Sequence, residues 1–378
     1  MTGPVLPGAT LGILGGGQLG RMTAMSARTL GYNVEALDPD PSCAARFVVD
    51  QCHTAGFDDA EAAAVLAKGC DVVTLEIEKI SLASLDAAAR YAPVRPGSAV
   101  LSVIQDRGRQ KEWLEGQGFP VGPWRLARTG AEAGAAVEAL GGRCFVKAVS
   151  GGYDGRSQVE TSSASEAPAA WAALGDETCA VEKALDLEKE ISVLVARRPS
   201  GAMAVYPPSL NHHEERILEW AVMPGPIPRS LARRAEALAS AIAAALGVEG
   251  LLAVEFFLQK DGSLVVNELA PRPHNTFHTT EVACVTSQFE QVVRAVCDLP
   301  LGSVEVTRPG AIVNLLGDLW AEGEPAFGAA LALPGVRLHL YGKRAARPGR
   351  KMGHLSAVAS TADAAVELVL RAKEALTR

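Results

Sequence analysis

The sequence predicts an α/β protein that begins with a parallel βαβ unit. An apolar run at Thr10–Leu14 leads into the loop "GGGQLGRM", an amphipathic segment covers residues 18–30, and Gly31 stops it. A second apolar run covers residues 33–37 and ends at Asp38, and the segment "CDVVTLEIE" resembles a third strand ending in two glutamates. Strands alternating with a helix in this way indicate a parallel, doubly wound sheet.

Length and composition restrict the class of protein. A chain of 378 residues is too long for one hydrophobic core, so two or three domains are expected. The net charge of −7 disfavours a nucleic acid or a membrane surface as partner. The seven cysteines include no CxxC pair, and the N-terminus lacks a basic region followed by an apolar run. We therefore expect a cytoplasmic protein without a disulfide framework or signal peptide.

Turn residues and element changes indicate the domain boundaries. Pro93, Pro96 and Gly97 mark a turn before a helix of alternating charge, and short strands resume after Arg308. An amphipathic helix between them has Ser230 as its expected N-cap and Gly247 as its stop. The expected domains are residues 1–105, 106–305 and 306–378, with a small lid subdomain at about 125–185 inside the second.

Two glutamates are predicted to face each other on a hairpin. Asp261-Gly262 lies between two apolar runs and is a strong signal for a two-residue turn. Counting outward, Lys260 pairs with Ser263, Leu258 with Val265, and Glu255 with Glu268, whose Cβ atoms would lie roughly 5 Å apart. A divalent cation would neutralise the pair, and Mg²⁺ prefers such carboxylates. A shared proton or two exposed, repelling glutamates are the alternatives.

Other segments carry phosphate-binding chemistry. The loop "SGGYDGRSQ" follows Lys147, and its glycines allow backbone N–H groups to approach phosphates, although "DG" also suits an ordinary hairpin. The segment "VEKALDLEKEIS" offers a connection along which an adenine could lie, or a solvated charged turn. The segment "YGKRAARPGRKMGH" clusters lysine and arginine in an acidic chain, as a phosphate site or a solvated basic loop.

The segment "ELAPRPHNTFHTTE" follows the second glutamate directly. It could supply zinc ligands from His274, His278 and Glu281. Its two prolines oppose the helix that this ligand spacing needs. An anion- and substrate-binding loop is therefore the favoured interpretation.

In combination, the motifs identify a family. "GGGQLGRM", "SGGYDGRSQ", "VVNELAPRPHN", "TSQFEQ" and "RPGRKMGH" follow one another over nearly the whole chain. Together they resemble the 5-(carboxyamino)imidazole ribonucleotide synthetases, biotin-independent carboxylases of purine biosynthesis in the ATP-grasp superfamily. The resemblance implies an ATP-grasp fold preceded by a Rossmann-like βαβ domain and followed by a small β-rich domain. It implies ATP-dependent carboxylation of 5-aminoimidazole ribonucleotide with bicarbonate through carboxyphosphate, with Mg²⁺ or Mn²⁺ as the ion, no biotin, and a homodimer.

The resemblance also implies roles for individual residues. The metal ligands would be Glu255 and Glu268, and the catalytic residues Tyr153, Asp154, Arg272, His274 and Lys147. The ATP site would comprise Arg107, Lys147, Gly152, Tyr153, Asp154, Gly155, Arg156, Ser157, Gln158, Glu182, Lys183, Ala184, Leu185, Glu190, His213, Asn267 and Glu268. The ribonucleotide site would comprise Gly17, Gln18, Leu19, Glu76, Arg272, His274, Asn275, Lys343, Arg350 and Lys351.

The sequence departs from the family pattern at three positions. Lys79 stands where asparagine is common, and Ser157 where glycine is usual. Phe277 replaces a glycine beside the expected substrate loop. A difference in backbone and pocket shape is therefore expected at Phe277.

Three other functions fit parts of the sequence. A formate-dependent glycinamide ribonucleotide transformylase would share the ATP site and use formyl phosphate. An NAD-dependent oxidoreductase would explain Gly15-x-Gly17-x-x-Gly20 and the acid Asp38, but not the glutamate hairpin or the basic tail. A non-catalytic ATP-binding protein would not need both glutamates together with Lys147.

Overall fold

The computed structural model describes residues 3–150, 157–175 and 177–377. Its N-terminal unit contains β1 (Thr10–Leu14), α1 (Gln18–Thr29), β2 (Asn33–Asp38), β3 (Gln51–Thr54), α2 (Ala60–Lys68), β4 (Val72–Leu75) and α3 (Leu82–Ala88). The strands form a parallel sheet in the order β3-β2-β1-β4, which confirms the predicted parallel βαβ unit. The third predicted strand was too long, because β4 ends at Leu75 and leaves Glu76 and Glu78 in the following loop.

A small antiparallel sheet follows two connecting helices. These elements are α4 (Ser98–Ile104), α5 (Arg107–Gly116), β5 (Trp124–Ala127), α6 (Gly130–Leu140), β6 (Cys144–Ala148), β7 (Gln158–Thr161), α7 (Ala167–Ala173) and β8 (Cys179–Lys183). The sheet order is β5-β8-β6-β7. Helices α6 and α7 cover one face, where Val137, Ala170 and Val181 share a buried apolar cluster.

A nine-stranded sheet forms the rest of the molecule. It contains β9 (Leu187–Arg197), β10 (Met203–Val205), β11 (Ser209–Glu214), β12 (Ile217–Met223), β13 (Gly250–Gln259), β14 (Leu264–Ala270), β15 (Gly310–Leu316), β16 (Val336–Leu340) and β17 (Lys351–Val358). Its helices are α8 (Arg229–Leu246), α9 (Thr280–Ala283), α10 (Gln288–Val296), α11 (Phe327–Leu331) and α12 (Ala362–Ala375), with 3-10 turns at Asn275–Phe277 and Gly317–Trp320.

The C-terminal strands extend the central sheet. Antiparallel pairing of β12 with β15 gives the order β14-β13-β9-β11-β12-β15-β17-β16, with β10 beside β9. The long helix α12, which the predicted β-rich region did not include, packs Ala365 and Val369 into the core over β15 and β17. Within the described part of the chain, each helix is too short or too polar to cross a bilayer.

Helix α8 begins two residues earlier than predicted. Its N-cap is Pro228, and Ser230 lies inside the first turn, so the expected Ser230 cap is wrong. The extended ψ of 137° at Pro228 turns the chain directly into the helix. The predicted stop is confirmed, since Gly247 adopts the left-handed conformation with φ 67°. Ala235 and Ile242 of this amphipathic helix are buried against the central sheet.

The β13–β14 hairpin reaches the predicted glutamate pairing by a different register. Gln259, and not Lys260, lies opposite Ser263, so the loop contains three residues. Leu258 consequently pairs with Leu264, and the predicted pairing with Val265 is wrong. A bulge at Asn267 adds one residue to β14 and restores Glu255 opposite Glu268.

Candidate active site

One cleft of about 1640 Å³ runs between the three sheets. It is lined by every predicted site residue that the structure describes: Gly17, Gln18, Leu19, Glu76, Arg107, Lys147, Ser157, Gln158, Glu182, Lys183, Ala184, Leu185, Glu190, His213, Glu255, Asn267, Glu268, Arg272, His274, Asn275, Lys343, Arg350 and Lys351. The predicted residues Gly152, Tyr153, Asp154, Gly155 and Arg156 lie outside the described residues.

The paired glutamates form an oxygen-rich part of the cleft. Asn267, the bulge residue, donates from Nδ2 to Oε2 of Glu255 at 3.2 Å. His274 Nε2 lies 3.4 Å from Oε1 of the same carboxylate. Burial first, and then the charge of Glu268, raise the pKa of Glu255 to about 7. A divalent cation between the two carboxylates would relieve this repulsion, and oxygen donors suit Mg²⁺.

Three cations surround the buried carboxylate of Glu182. Its oxygens lie 2.9 Å from Lys147 Nζ, 3.4 Å from Lys111 Nζ and 3.8 Å from an Arg107 nitrogen. Burial alone would raise the pKa of Glu182, but the three cations outweigh it and hold that pKa at about 2. Arg107 also reaches Glu268 at 3.4 Å, so the cation cluster adjoins the carboxylate pair.

Sequence reasoning missed Lys111. Its side chain is only 3% exposed and lines the cleft one helical turn after Arg107 on α5. The i, i+4 spacing of two cations behind the N-cap Asp106 is a signal that could have identified it.

The adjoining strands position the rest of the predicted nucleotide site. His213 Nδ1 lies 3.0 Å from Glu190 Oε2. Burial would lower the pKa of His213, but the neighbouring Glu190 carboxylate raises it overall. In the expected adenine segment, the amides of Lys183 and Ala184 donate to backbone carbonyls of the protein. Leu185 contributes to the lining of the cleft beside them.

The glycine-rich loop after β1 donates its backbone amides to two acidic side chains of the N-terminal unit. The amides of Gly17 and Gly20 donate to the two oxygens of Glu76 at 2.8 Å each, and Gly16 donates to Asp38 at 2.7 Å. A dinucleotide pyrophosphate would need these amides at the start of α1. Because a carboxylate occupies that position, the dinucleotide hypothesis is wrong for this loop.

The other end of the cleft is lined by residues of the predicted ribonucleotide site. Arg272 Nε lies 2.7 Å from Glu78 Oε1, an ion pair that sequence reasoning did not include. Burial, followed by the charge of Arg272, lowers the pKa of His274 well below its usual value, so its ring is neutral. Asn275 is 8% exposed, and both polar atoms of its amide lack a partner among the described residues.

Basic residues near the C-terminus lie over the N-terminal loop. Lys343 Nζ donates to Gln18 Oε1 at 2.6 Å and to the Lys351 carbonyl at 2.7 Å. An Arg350 nitrogen donates to the Ala345 carbonyl at 2.9 Å. The fold thereby brings together groups that are more than 300 residues apart in the chain.

The Phe277 side chain lies in the core and is not among the residues that line the cleft. Its side chain is fully buried, and its ring lies 6.4 Å from the Tyr206 ring in the main core. Its neighbour Thr276 faces the cleft. The 3-10 turn directs the large side chain away from the substrate loop, and the backbone φ of Phe277 is not positive.

Comparison with known proteins identifies the chain's relatives. Family models match it in succession: a ribonucleotide synthetase preATP-grasp domain at residues 8–105, an ATP-grasp domain at 112–289, and a phosphoribosylaminoimidazole carboxylase C-terminal domain at 310–368. The N5-carboxyaminoimidazole ribonucleotide synthase of Brucella melitensis is 42% identical over 354 residues, which are 93% of this chain and 97% of that protein.

Solved structures agree with these matches. The N5-carboxyaminoimidazole synthetase from Staphylococcus aureus, complexed with ADP, superposes with a TM-score of 0.92 at 33% identity over 98% of both chains. The N5-carboxyaminoimidazole synthase of Aspergillus clavatus, in complex with ADP and 5-aminoimidazole ribonucleotide, has a TM-score of 0.89 at 32% identity over 97% of this chain and 98% of that one. Sequence and fold are thus shared over nearly the full length of both partners, and the chain belongs to the N5-carboxyaminoimidazole ribonucleotide synthase family, with its ATP-grasp fold.

Proposed function

We propose that this chain is an ATP-dependent ligase of purine biosynthesis. It joins bicarbonate to the exocyclic amine of 5-aminoimidazole ribonucleotide and releases ADP and phosphate. One observation carries the proposal: the Glu255–Glu268 pair shares a cleft with the cations Arg107, Lys111 and Lys147. Such a site combines metal ligands with charges that stabilise a transferring phosphoryl group.

A magnesium ion fits the carboxylate pair. Glu255 and Glu268 face each other, and repulsion from Glu268 adds to the raised pKa of Glu255, so a cation between the two carboxylates would be stabilised. These two residues would hold the ion, which supplies charge neutralisation for the ATP phosphates. Asn267 and His274 hold the Glu255 carboxylate in place from two directions.

The first half-reaction is phosphoryl transfer. A bicarbonate oxygen attacks the γ-phosphorus of ATP, and the bond from this phosphorus to the β–γ bridging oxygen breaks. The products are carboxyphosphate and ADP. Arg107 and Lys147 lie where they can stabilise the charge on the transferring oxygens. Lys147 is bound to Glu182 in this structure, so it must exchange that carboxylate for phosphate when ATP binds.

The second half-reaction forms the C–N bond. The exocyclic amine attacks the carboxyl carbon of carboxyphosphate, or CO₂ released from it, and phosphate leaves. The departing phosphate accepts the amine proton. His274, whose neutral ring contacts Glu255 and Thr276, is expected to orient the reacting groups. Arg272 orients the carboxyl group from its ion pair with Glu78. Tyr153 and Asp154 remain predicted to organise carboxyphosphate.

The substrate would span the cleft away from ATP. Lys343, Arg350 and Lys351 hold its phosphate, and Asn275 offers an unpaired amide for its polar groups. The N-terminal loop at Gly17, Gln18 and Leu19, held by Glu76, lies beside them. The three-domain division, a homodimer and a cytoplasmic location also belong to the proposal, and sedimentation velocity would test the dimer.

The test is ADP release from Mg·ATP in bicarbonate buffer, with and without 5-aminoimidazole ribonucleotide. We expect the ribonucleotide to be required for rapid turnover. Glu268→Ala should abolish turnover, whereas Glu214→Ala, at an exposed glutamate of β11, should leave it unchanged. Turnover with glycinamide ribonucleotide and formate instead would contradict the assigned substrate, and turnover that persists in Glu268→Ala would contradict the metal site.

A further inference from the structure

A second group of potential metal ligands lies outside the cleft lining. Glu281 from α9, His339 from β16 and His354 from β17 each place one donor atom within 4.8 Å of the other two. His339 and His354 are directly opposite in the antiparallel β16–β17 pair. Side chains of such a pair project from the same face, so the sheet itself brings the two imidazoles together.

Hydrogen bonding orients one of the imidazoles. The Tyr341 hydroxyl bonds Nδ1 of His354 at 2.9 Å. The remaining nitrogen, Nε2, lies 3.8 Å from Oε2 of Glu281. Metal-binding histidines commonly have their second nitrogen fixed by an outer partner in this way. The His339 and His354 rings stack at 15°, with centroids 5.2 Å apart.

The Glu281 carboxylate faces the buried imidazoles and has few partners of its own. The His354 side chain is 1% exposed, and that of Glu281 is 30% exposed. Among the described residues, the Glu281 carboxylate accepts no hydrogen bond of its own. A half-buried carboxylate beside two imidazole nitrogens offers three ligand atoms to a metal ion.

We propose that Glu281, His339 and His354 form a binding site for a divalent transition-metal ion, with Zn²⁺ as the best match. Two imidazoles and one carboxylate are a characteristic zinc set that leaves a fourth position open, whereas Mg²⁺ prefers oxygen ligands. Ligands of one tetrahedral Zn²⁺ lie about 3.3 Å apart, so the side chains close around the ion by rotation. Glu281 is 30% exposed and gives the ion a path from solvent.

This site differs from the zinc set that the sequence pattern suggested. Of His274, His278 and Glu281, only Glu281 takes part. His274 lies beside Glu255, and His278 bonds Gln288 through Nδ1. The two histidines that replace them come from β16 and β17, 58 and 73 residues after Glu281.

An ion at this site would join α9 to the β16–β17 hairpin. The connection of that hairpin carries Lys343 and Arg350, and Lys351 opens β17. Binding to the folded state alone stabilises the fold. The site can therefore be tested without measuring turnover, and it does not depend on the proposed function.

The test is Co²⁺ binding to metal-free protein in excess Mg²⁺, followed by the visible d–d absorption of cobalt bound to nitrogen ligands. We expect one Co²⁺ per chain, displaced by Zn²⁺. His339→Gln and Glu281→Gln should each weaken binding at least tenfold, and Tyr341→Phe by about 10–100-fold. Glu268→Gln, which alters the other carboxylate site, should leave Co²⁺ binding unchanged.

A second measurement uses the unmodified protein. Zn²⁺ should raise its melting temperature in excess Mg²⁺, and the increase should be absent in His339→Gln. The absence of the cobalt spectrum from the parent protein would overturn the proposal. So would cobalt binding that survives both the His339 and Glu281 substitutions, or that disappears in Glu268→Gln.

Discussion

Glu182 keeps a full negative charge inside the protein because three cations compensate for its lost hydration. Lys147, Lys111 and Arg107 approach it from β6 and α5. Removing one member of such a group leaves the others buried without a counter-charge, which costs more than the net value of the ion pairs. Arg107 and Lys147 are also the cations proposed to contact ATP, so Glu182 holds them in position before ATP binds.

Glu182→Gln is expected to lower the free energy of unfolding by about 3–5 kcal/mol at neutral pH. The folded pKa of about 2 lies below the ordinary 4.5, so the stabilisation is complete above pH 4.5 and is lost as the pH falls toward 2. Denaturant titrations at several pH values should show the difference from the parent shrinking below pH 4.5. Glu188→Gln, at an exposed position of β9, is the control. A pH-independent difference would contradict this account.

Asn275→Ala is expected to raise the KM for the ribonucleotide about tenfold while leaving stability nearly unchanged. The amide has no partner among the described residues, so its removal breaks no hydrogen bond seen within the fold. Steady-state kinetics and thermal melting measure the two effects. Asn314→Ala is the reciprocal control, because that buried amide donates to the Leu218 carbonyl and should affect stability. An unchanged KM would remove Asn275 from the substrate site.

At the scale of elements, the β13–β14 hairpin shows how local geometry sets the active site. A three-residue loop shifts the register by one position, and the bulge at Asn267 shifts it back before the glutamates. The bulge residue then supports Glu255 with its own side chain. Bulges of this kind commonly redirect side chains beside active sites.

Gly262→Ala is expected to destabilise the protein by about 1 kcal/mol. Its φ of +81° is unfavourable for a residue with a Cβ, although no atom lies within 4 Å of the added carbon. Gly328→Ala in α11 also has open space but no positive φ, and should be neutral or stabilising. Denaturant midpoints measure both variants. Equal effects would show that backbone conformation is not the cause.

At the scale of the whole molecule, the cleft depends on how separate units are held together. Arg95, at the end of the N-terminal unit, donates to the Val296 carbonyl at the end of α10 and pairs with Glu249 at 3.0 Å. The Val296 carbonyl is one of those that a helix end leaves without an internal partner. One buried guanidinium thereby joins the N-terminal unit to the central sheet.

Arg95→Met should cost about 1–3 kcal/mol of stability, since it leaves the Val296 carbonyl unpaired. The effect should extend to the ribonucleotide site, raising its KM, because Gly17 and Arg272 come from the two units that Arg95 joins. Calorimetry and kinetics measure these effects, and Arg90→Met at an exposed position is the control. A stability loss confined to the central sheet, with normal kinetics, would contradict this linkage.

The sequence alone determined the features that depend on residues close together in the chain. Residues 10–38 contain their own strand, loop, helix and strand signals, and the parallel unit formed as predicted. Alternation and turn chemistry placed Glu255 opposite Glu268, although the route through the bulge was not predictable. The motifs also identified the family, because residue types and their order along the chain can be recognised without knowing the fold.

Only the tertiary structure decided which charged residues, far apart in the chain, lie next to each other inside the protein. Lys111 and Glu78 were not predicted as site residues, and folding brings them against Glu182 and Arg272. The same holds for Glu281, which meets His339 and His354, 58 and 73 residues later in the chain. The physical reason is that a charge's free energy depends on its burial and on its neighbours in space. Neither quantity exists before the sheets are assembled.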